Sequence, residues 1–145
     1  MATVVDDLRR VPLFGGLNQR QLKRLARDCK ERDFRPATTV VRQGHMSGVG
    51  FFIIADGEAA VSVDGTRVAT LGPGDYFGEL ALISKQVRTA TVTAVTPLRC
   101  LVLMFADFRD FASGNPDVLW NLLEHVVGLL AEERSMRAKA ALPAS

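Results

Sequence analysis

Cysteine and histidine are scarce in this chain, with two of each in 145 residues. Cys29 and Cys100 are far apart and form no C-x-x-C pair, so neither a disulfide framework nor a zinc site is expected. His45 and His125 are too few to supply the several imidazoles that a metalloenzyme on a β scaffold brings together. No serine or cysteine stands in a recognisable nucleophile elbow with a histidine in reach. Catalysis is therefore not expected, and no metal or cofactor is called for. Long apolar runs are missing as well, which excludes a bilayer-spanning helix, and the opening MATVVDDLRR has acids and arginines where a secretory signal needs an apolar core. With reduced thiols and no membrane segment, the expected location is the cytoplasm.

Charge of one sign is not in excess, the formal net value being +2. Most of the basic residues near the start, Arg9, Arg10, Arg20, Lys23, Arg24, Arg27, Lys30, Arg32 and Arg35, are interleaved with Asp6, Asp7, Asp28, Glu31 and Asp33. That mixture reads as a solvated helical face, not a nucleic-acid footprint. Apolar residues make up 48% and charged residues 23%, the composition of one globular domain with a single core.

The hydrophobic pattern changes period twice along the chain. A helical cap is expected over about residues 1–35: Leu8, Val11, Leu13 and Phe14 lead to Asn18, whose side chain can cap a helix carrying Leu22, Leu25 and Ala26 inward. From about 36 to 104 the pattern becomes short β-branched runs, TTVVR, GFFIIA, EAAVSV, TRVATL, TATVTAV and LRCLVLM, separated by glycine-bearing turns. Asp64-Gly65 is a two-residue hairpin signal, and Asp56-Gly57 and Pro73-Gly74-Asp75 mark two further turns. From about 105 to 137 the chain reads as a short helix followed by a longer one opened by Asn115-Pro116, with residues 138–145 a disordered tail. The fold class expected is mainly β with flanking helices: an antiparallel β-barrel or jelly roll between an N-terminal helical segment and a C-terminal helix. The apolar stripe of that last helix, Val118 to Leu130, is wider than one buried face requires. It either seals the barrel, or also covers a ligand or pairs with a second chain.

The segment Gly74 to Ala94 interrupts the β alternation with something other than a hairpin. Phe77-Gly78-Glu79 leads into Leu80-Ala81-Leu82-Ile83, one apolar helical turn, then a polar loop, then Arg88 immediately before the strand Thr89 to Thr93. The first amides of a helix lack intrahelical partners and point from its positive end, so a phosphate can accept them. Gly78 permits close backbone approach, Leu80 and Ala81 supply N–H groups, and Arg88 can add a planar two-pronged donor to the same phosphate oxygens. Glu79 is the misfit, because a carboxylate beside a phosphate repels it unless it faces something else. An acid that accepts ribose hydroxyls meets that condition, and the pair then describes a ribose-phosphate ligand. The alternative is a salt bridge between Glu79 and Arg88 that merely ties the loop to the strand.

FGELALI followed by R-T-A-T-V resembles the phosphate-binding cassette of cyclic-nucleotide-binding domains, as found in cAMP receptor proteins and protein kinase A regulatory subunits. VPLFGGLNQRQLKRLA, VVRQG and FFIIADGEAAV resemble the family's opening helical segment and early strands, and the helix from Pro116 resembles its hinge-and-lid helix. The resemblance implies that Glu79 takes the ribose 2′-hydroxyl and Arg88 the cyclic phosphate. It also implies that amides at Gly78, Leu80 and Ala81 complete the cradle and that Thr89 and Ala90 line the wall near the base. On the lid helix, Trp120 can pack at the barrel mouth and Arg134 can reach the base by stacking or through its fork; the alternative is that the two are simply core and surface residues. Two positions depart from the family pattern: Val87 replaces the usual proline before the arginine, and Ala37 stands where glycine is common.

The ligand implied is cAMP, with cGMP the lesser alternative, and the role that of a sensor or regulatory domain. Pairing through helix 116–137, with a second copy or with an effector protein, is the expected output. Because the chain stops a few residues past Arg137, too early for a helix-turn-helix, direct DNA binding is not expected. A structural module with a degenerate site, and the sensor fragment of a larger transcription regulator, channel or kinase, are the alternative roles.

Overall fold

The computed structural model describes residues 3–43, 50–78 and 90–141. Two helices open the chain, α1 (Val4–Arg9) and α2 (Gln19–Asp28), joined through a 3₁₀ turn at Pro12–Phe14. Eight strands follow: β1 (Lys30–Phe34), β2 (Thr39–Val41), β3 (Gly50–Asp56), β4 (Ala59–Val63), β5 (Thr66–Leu71), β6 (Tyr76–Phe77), β7 (Thr91–Ala94) and β8 (Leu98–Met104). The last described elements are α3 (Phe105–Ser113) and α4 (Pro116–Ala141). All strand pairings are antiparallel, in two four-stranded sheets ordered β1-β8-β3-β6 and β2-β7-β4-β5. This is the mainly β jelly roll with flanking helices that the turn spacing implies.

Burial explains why the strands read differently in sequence. At its centre the first sheet is covered on both faces, so β3 and β8 are nearly continuous apolar runs. One of its faces presents Phe51, Ile53, Ala55, Leu101 and Leu103 to the helices, where they pack with Leu8, Phe14, Leu22, Leu25, Phe111 and Val118. The opposite face presents Ile54, Leu98 and Cys100 to Val41, Ala59, Val92 and Ala94 of the second sheet. That second sheet is covered on one face only, and β7 accordingly alternates between half-buried and buried residues. The molecule is thus a stack of helices, sheet and sheet. A fully buried phenylalanine or leucine stabilises such a core by roughly 1.5–3 kcal/mol.

The turns behave as their residues dictate. Asp64 and Gly65 have φ of 53° and 80°, positive at both central positions as the tight hairpin needs. Gly57 has φ of +93°, and a Cβ there would lie 2.2 Å from the Pro97 carbonyl oxygen, so only glycine fits. Asn18 and Gln21 form a reciprocal capping box at the start of α2, and Thr3 and Asp6 form another at α1.

Two boundaries differ from expectation. The segment expected to be wholly helical up to residue 35 contains β1, whose sequence KERDF is almost entirely exposed because it forms the outer edge of its sheet. Charged side chains suit an edge that must not recruit further strands, and they hide the strand from hydrophobic patterning. The final helix continues to Ala141 instead of ending near Arg137, through an alanine-rich stretch of high helix propensity. No helix among the described residues is long and apolar enough to cross a membrane.

Candidate ligand-binding site

The motif-bearing segment crosses from one sheet to the other. It leaves β6 at the edge of the first sheet and rejoins the chain ahead of β7, which lies between β2 and β4 in the second. Phe77, 6% exposed, anchors the departure by stacking on Phe52 at 4.9 Å with the rings 2° from parallel. Gly78 then takes φ of +91°, a left-handed conformation that glycine adopts without strain and that turns the chain off the strand. On the return side, Ala90 is half-buried at a bend directly before β7. Glu79, Leu80, Ala81, Arg88 and Thr89 lie outside the described residues, as do Val87 and His45.

The rim around this crossing is held by polar contacts that the sequence reading did not single out. The Gln43 backbone N–H donates to Thr91 Oγ1 at 3.0 Å, and its side-chain amide grips Asp64 twice, donating to Oδ1 at 2.9 Å and accepting from the backbone N–H at 2.8 Å. One glutamine therefore ties together the end of β2, the start of β7 and the tip of the β4–β5 hairpin. No pattern in the sequence marks this role, since the three residues are brought together only by strand pairing. Behind the crossing, the Phe51 ring lies 5.3 Å from that of Tyr76 and 5.7 Å from that of Phe108. The strand leading into the motif is thereby linked, through Phe51 of β3, to α3, the first helix after the roll.

The two residues expected on the lid lie on α4. Trp120 is 62% exposed, and its indole N–H donates to Glu124 Oε1 of the same helix at 2.7 Å. Arg134 is exposed further along. Val118 and Leu122 face the core, whereas Leu119, Trp120, Leu123, Val127 and Leu130 form an exposed apolar stripe. No group of three or more potential metal ligands occurs among the described residues.

Two antiparallel four-stranded sheets packed face to face, with helices over the first, define the class of helix-flanked β-roll domains. Residues 31–115 match the cyclic nucleotide-binding domain, and the chain belongs to that family. It is 43% identical over 115 residues to the cAMP-dependent protein kinase regulatory subunit of Schizosaccharomyces pombe, covering 79% of this chain and 28% of the relative. It is 37% identical over 108 residues to a cyclic nucleotide-gated potassium channel of Mesorhizobium japonicum, covering 74% and 30% respectively. Among solved structures, the Thermus thermophilus catabolite activator protein superposes with a TM-score of 0.82 at 24% identity, covering 90% of this chain and 63% of that one, which supports the fold. The chain spans less than a third of the length of the kinase subunit and the channel. The family is one of regulatory ligand-binding domains.

Proposed function

We infer that this chain is a cytoplasmic cAMP sensor, with cGMP the weaker ligand, that works by binding and not by catalysis. The observation that carries this reading is the crossing between the sheets, framed by Gly78 and Ala90, on which the motif FGELALI and R-T-A-T-V is carried. In this reading Glu79 accepts from the ribose 2′-hydroxyl, and Arg88 clamps the cyclic phosphate with its fork. Backbone amides at Gly78, Leu80 and Ala81 complete the anion cradle, while Thr89 and Ala90 wall the base. The preference for cAMP is supported by the likeness to a kinase regulatory subunit named for that nucleotide.

Titration calorimetry with cAMP and cGMP tests the assignment, using Arg88→Ala and Glu79→Ala. Loss of a charged partner at a desolvated site costs about 2–4 kcal/mol, or roughly thirty-fold to nearly a thousand-fold in affinity. Equal binding by wild type and variants would refute it and favour a structural ion pair.

The exposed stripe on α4 supports a role for that helix in output. Nucleotide would shift a pre-existing equilibrium in the position of α4, with Trp120 and Arg134 brought toward the base, and so change what the stripe can pair with: a second copy or an effector. Mass measurement in solution with and without cAMP checks the dimer version, which an unchanged monomer would exclude.

A further inference from the structure

The nucleotide reading leaves the charge on α2 unused. Four cations, Arg20, Lys23, Arg24 and Arg27, set against one carboxylate, Asp28, give this ten-residue helix a net +3, more than the +2 of the whole chain. The core-facing residues of α2 are Leu22 and Leu25, and the four cations are all exposed. None of them makes an ion pair or a side-chain hydrogen bond among the described residues. They line a concave groove of about 830 Å³ that runs from α2 to the elbow between α3 and α4, where Phe111, Gly114 and Asn115 form its other side.

Gln21 joins the two sides. Its Oε1 accepts from the Asn18 backbone N–H at 2.9 Å within the capping box, and its Nε2 donates to Asn115 Oδ1 at 2.6 Å. Asn115 directly precedes Pro116, the first residue of α4. A segment lying in the groove would therefore touch both the basic helix and the root of the long helix.

We propose that this groove docks an acidic, extended segment of a partner protein, with glutamate or aspartate side chains meeting Arg20, Lys23, Arg24 and Arg27. Charge complementarity selects the sign of the occupant, and concavity selects its shape. A lipid surface fits poorly, because the large exposed apolar side chains are on α4 and at Val68 and Val95, leaving α2 nothing to insert. A nucleic acid fits poorly because the groove offers no exposed aromatic ring on which a base could stack, Phe111 being 2% exposed. The inference does not depend on nucleotide binding.

Fluorescence anisotropy with a labelled peptide of alternating glutamate and alanine, and with its lysine-alanine counterpart, tests it on the full chain. The acidic peptide binds, the basic one does not, and Arg20→Glu with Arg24→Glu weakens binding by about tenfold or more. Arg35→Glu with Arg67→Glu, an equal charge change at residues that do not line the groove, leaves affinity within about twofold, since exposed charges at a distance are screened. Equal weakening by both pairs overturns the proposal, since net charge alone would then account for binding. Tighter binding of single-stranded DNA or of phosphatidylserine vesicles through the same arginines also overturns it. Thermal unfolding confirms that the variants are folded, and Arg20→Gln with Arg24→Gln replaces the reversed pair if that pair does not fold, with a smaller loss in the same direction expected.

Discussion

Asp7 of α1 and Arg99 of β8 meet at 3.0 Å, although 92 positions separate them in sequence. Asp7 is 1% exposed, and its other carboxylate oxygen takes Arg10 at 2.7 Å. Arg99 continues outward to Asp56 at 2.9 Å and toward Glu31 at 3.6 Å. Desolvation of the guanidinium opposes its charge, but hydrogen bonds to Asp56 and Asp7 outweigh that cost and raise its pKa above the ordinary arginine value. Since a buried carboxylate without its partners is expensive, the network fixes how the first helix sits on the roll. Arg99→Met is expected to destabilise the domain by about 2–4 kcal/mol, because it leaves Asp7 buried with Arg10 alone. Urea unfolding measures this, and an unchanged midpoint would show that the network adds nothing to stability.

Ala37 stands in the left-handed region with φ of +70°, held there by its N–H donating to the Ala94 carbonyl at 2.7 Å. The alanine therefore adopts a conformation that glycine takes without penalty, at the position where the family commonly has glycine. Relief of the Cβ clash outweighs the extra freedom that glycine gives the unfolded chain, so Ala37→Gly should stabilise by about 0.5–1 kcal/mol. Thermal unfolding of the pair of proteins decides it, and a lower midpoint for the glycine variant would contradict the strain argument.

How much of this was legible in the sequence depended on whether a feature is local. β3 and β8 announce themselves because both faces of their sheet are buried, and Asp64-Gly65 because the hairpin demands its backbone angles from two adjacent residues. The cassette motif is legible for the same reason, since its glycine, glutamate, apolar turn and arginine follow one another in order. β1 was missed because an edge strand of charged residues carries no hydrophobic period. Gln43 with Asp64 and Thr91, and Asp7 with Arg99, were invisible because each pairing exists only once distant elements have been brought together.

The amide of Gln21 and that of Asn115, 94 residues apart, form the corresponding contact between α2 and the elbow. Asn115 is 8% exposed, and it also donates to the Phe111 carbonyl at 2.7 Å, so both ends of its side chain are engaged. Removing Gln21 leaves the nearly buried Asn115 Oδ1 without its donor, and removing Asn115 costs the half-buried Gln21 amide its acceptor and the α3–α4 elbow its bond to the Phe111 carbonyl, a loss of about 1–3 kcal/mol in either case. Gln21→Ala and Asn115→Ala should each destabilise by that amount, and the double variant by about 0.5–1 kcal/mol less than their sum. Strict additivity in the cycle would mean that the two amides act independently.

Burial sets the behaviour of the thiols. Desolvation, assisted by the nearby Asp33 charge, pushes Cys100 up to about 12 from an ordinary 9.0, and desolvation with Asp28 and Asp107 does the same to Cys29. At pH 8 neither thiol forms appreciable thiolate in the folded chain, so Ellman's reagent should react with both only after denaturant is added. The sign of the linkage follows from the raised folded values. Above pH 9 the unfolded chain releases thiol protons that the folded chain retains, so stability is fully present below that pH and declines as pH rises toward 12. For Cys100, which is fully buried, the limiting slope is about 1.4 kcal/mol per pH unit. Urea unfolding at pH 8 and pH 10 should show a steeper decline in wild type than in Cys100→Ala, whose own cavity lowers stability equally at both values. Parallel declines would place the alkaline loss in other groups and show that Cys100 titrates as it does in the unfolded chain.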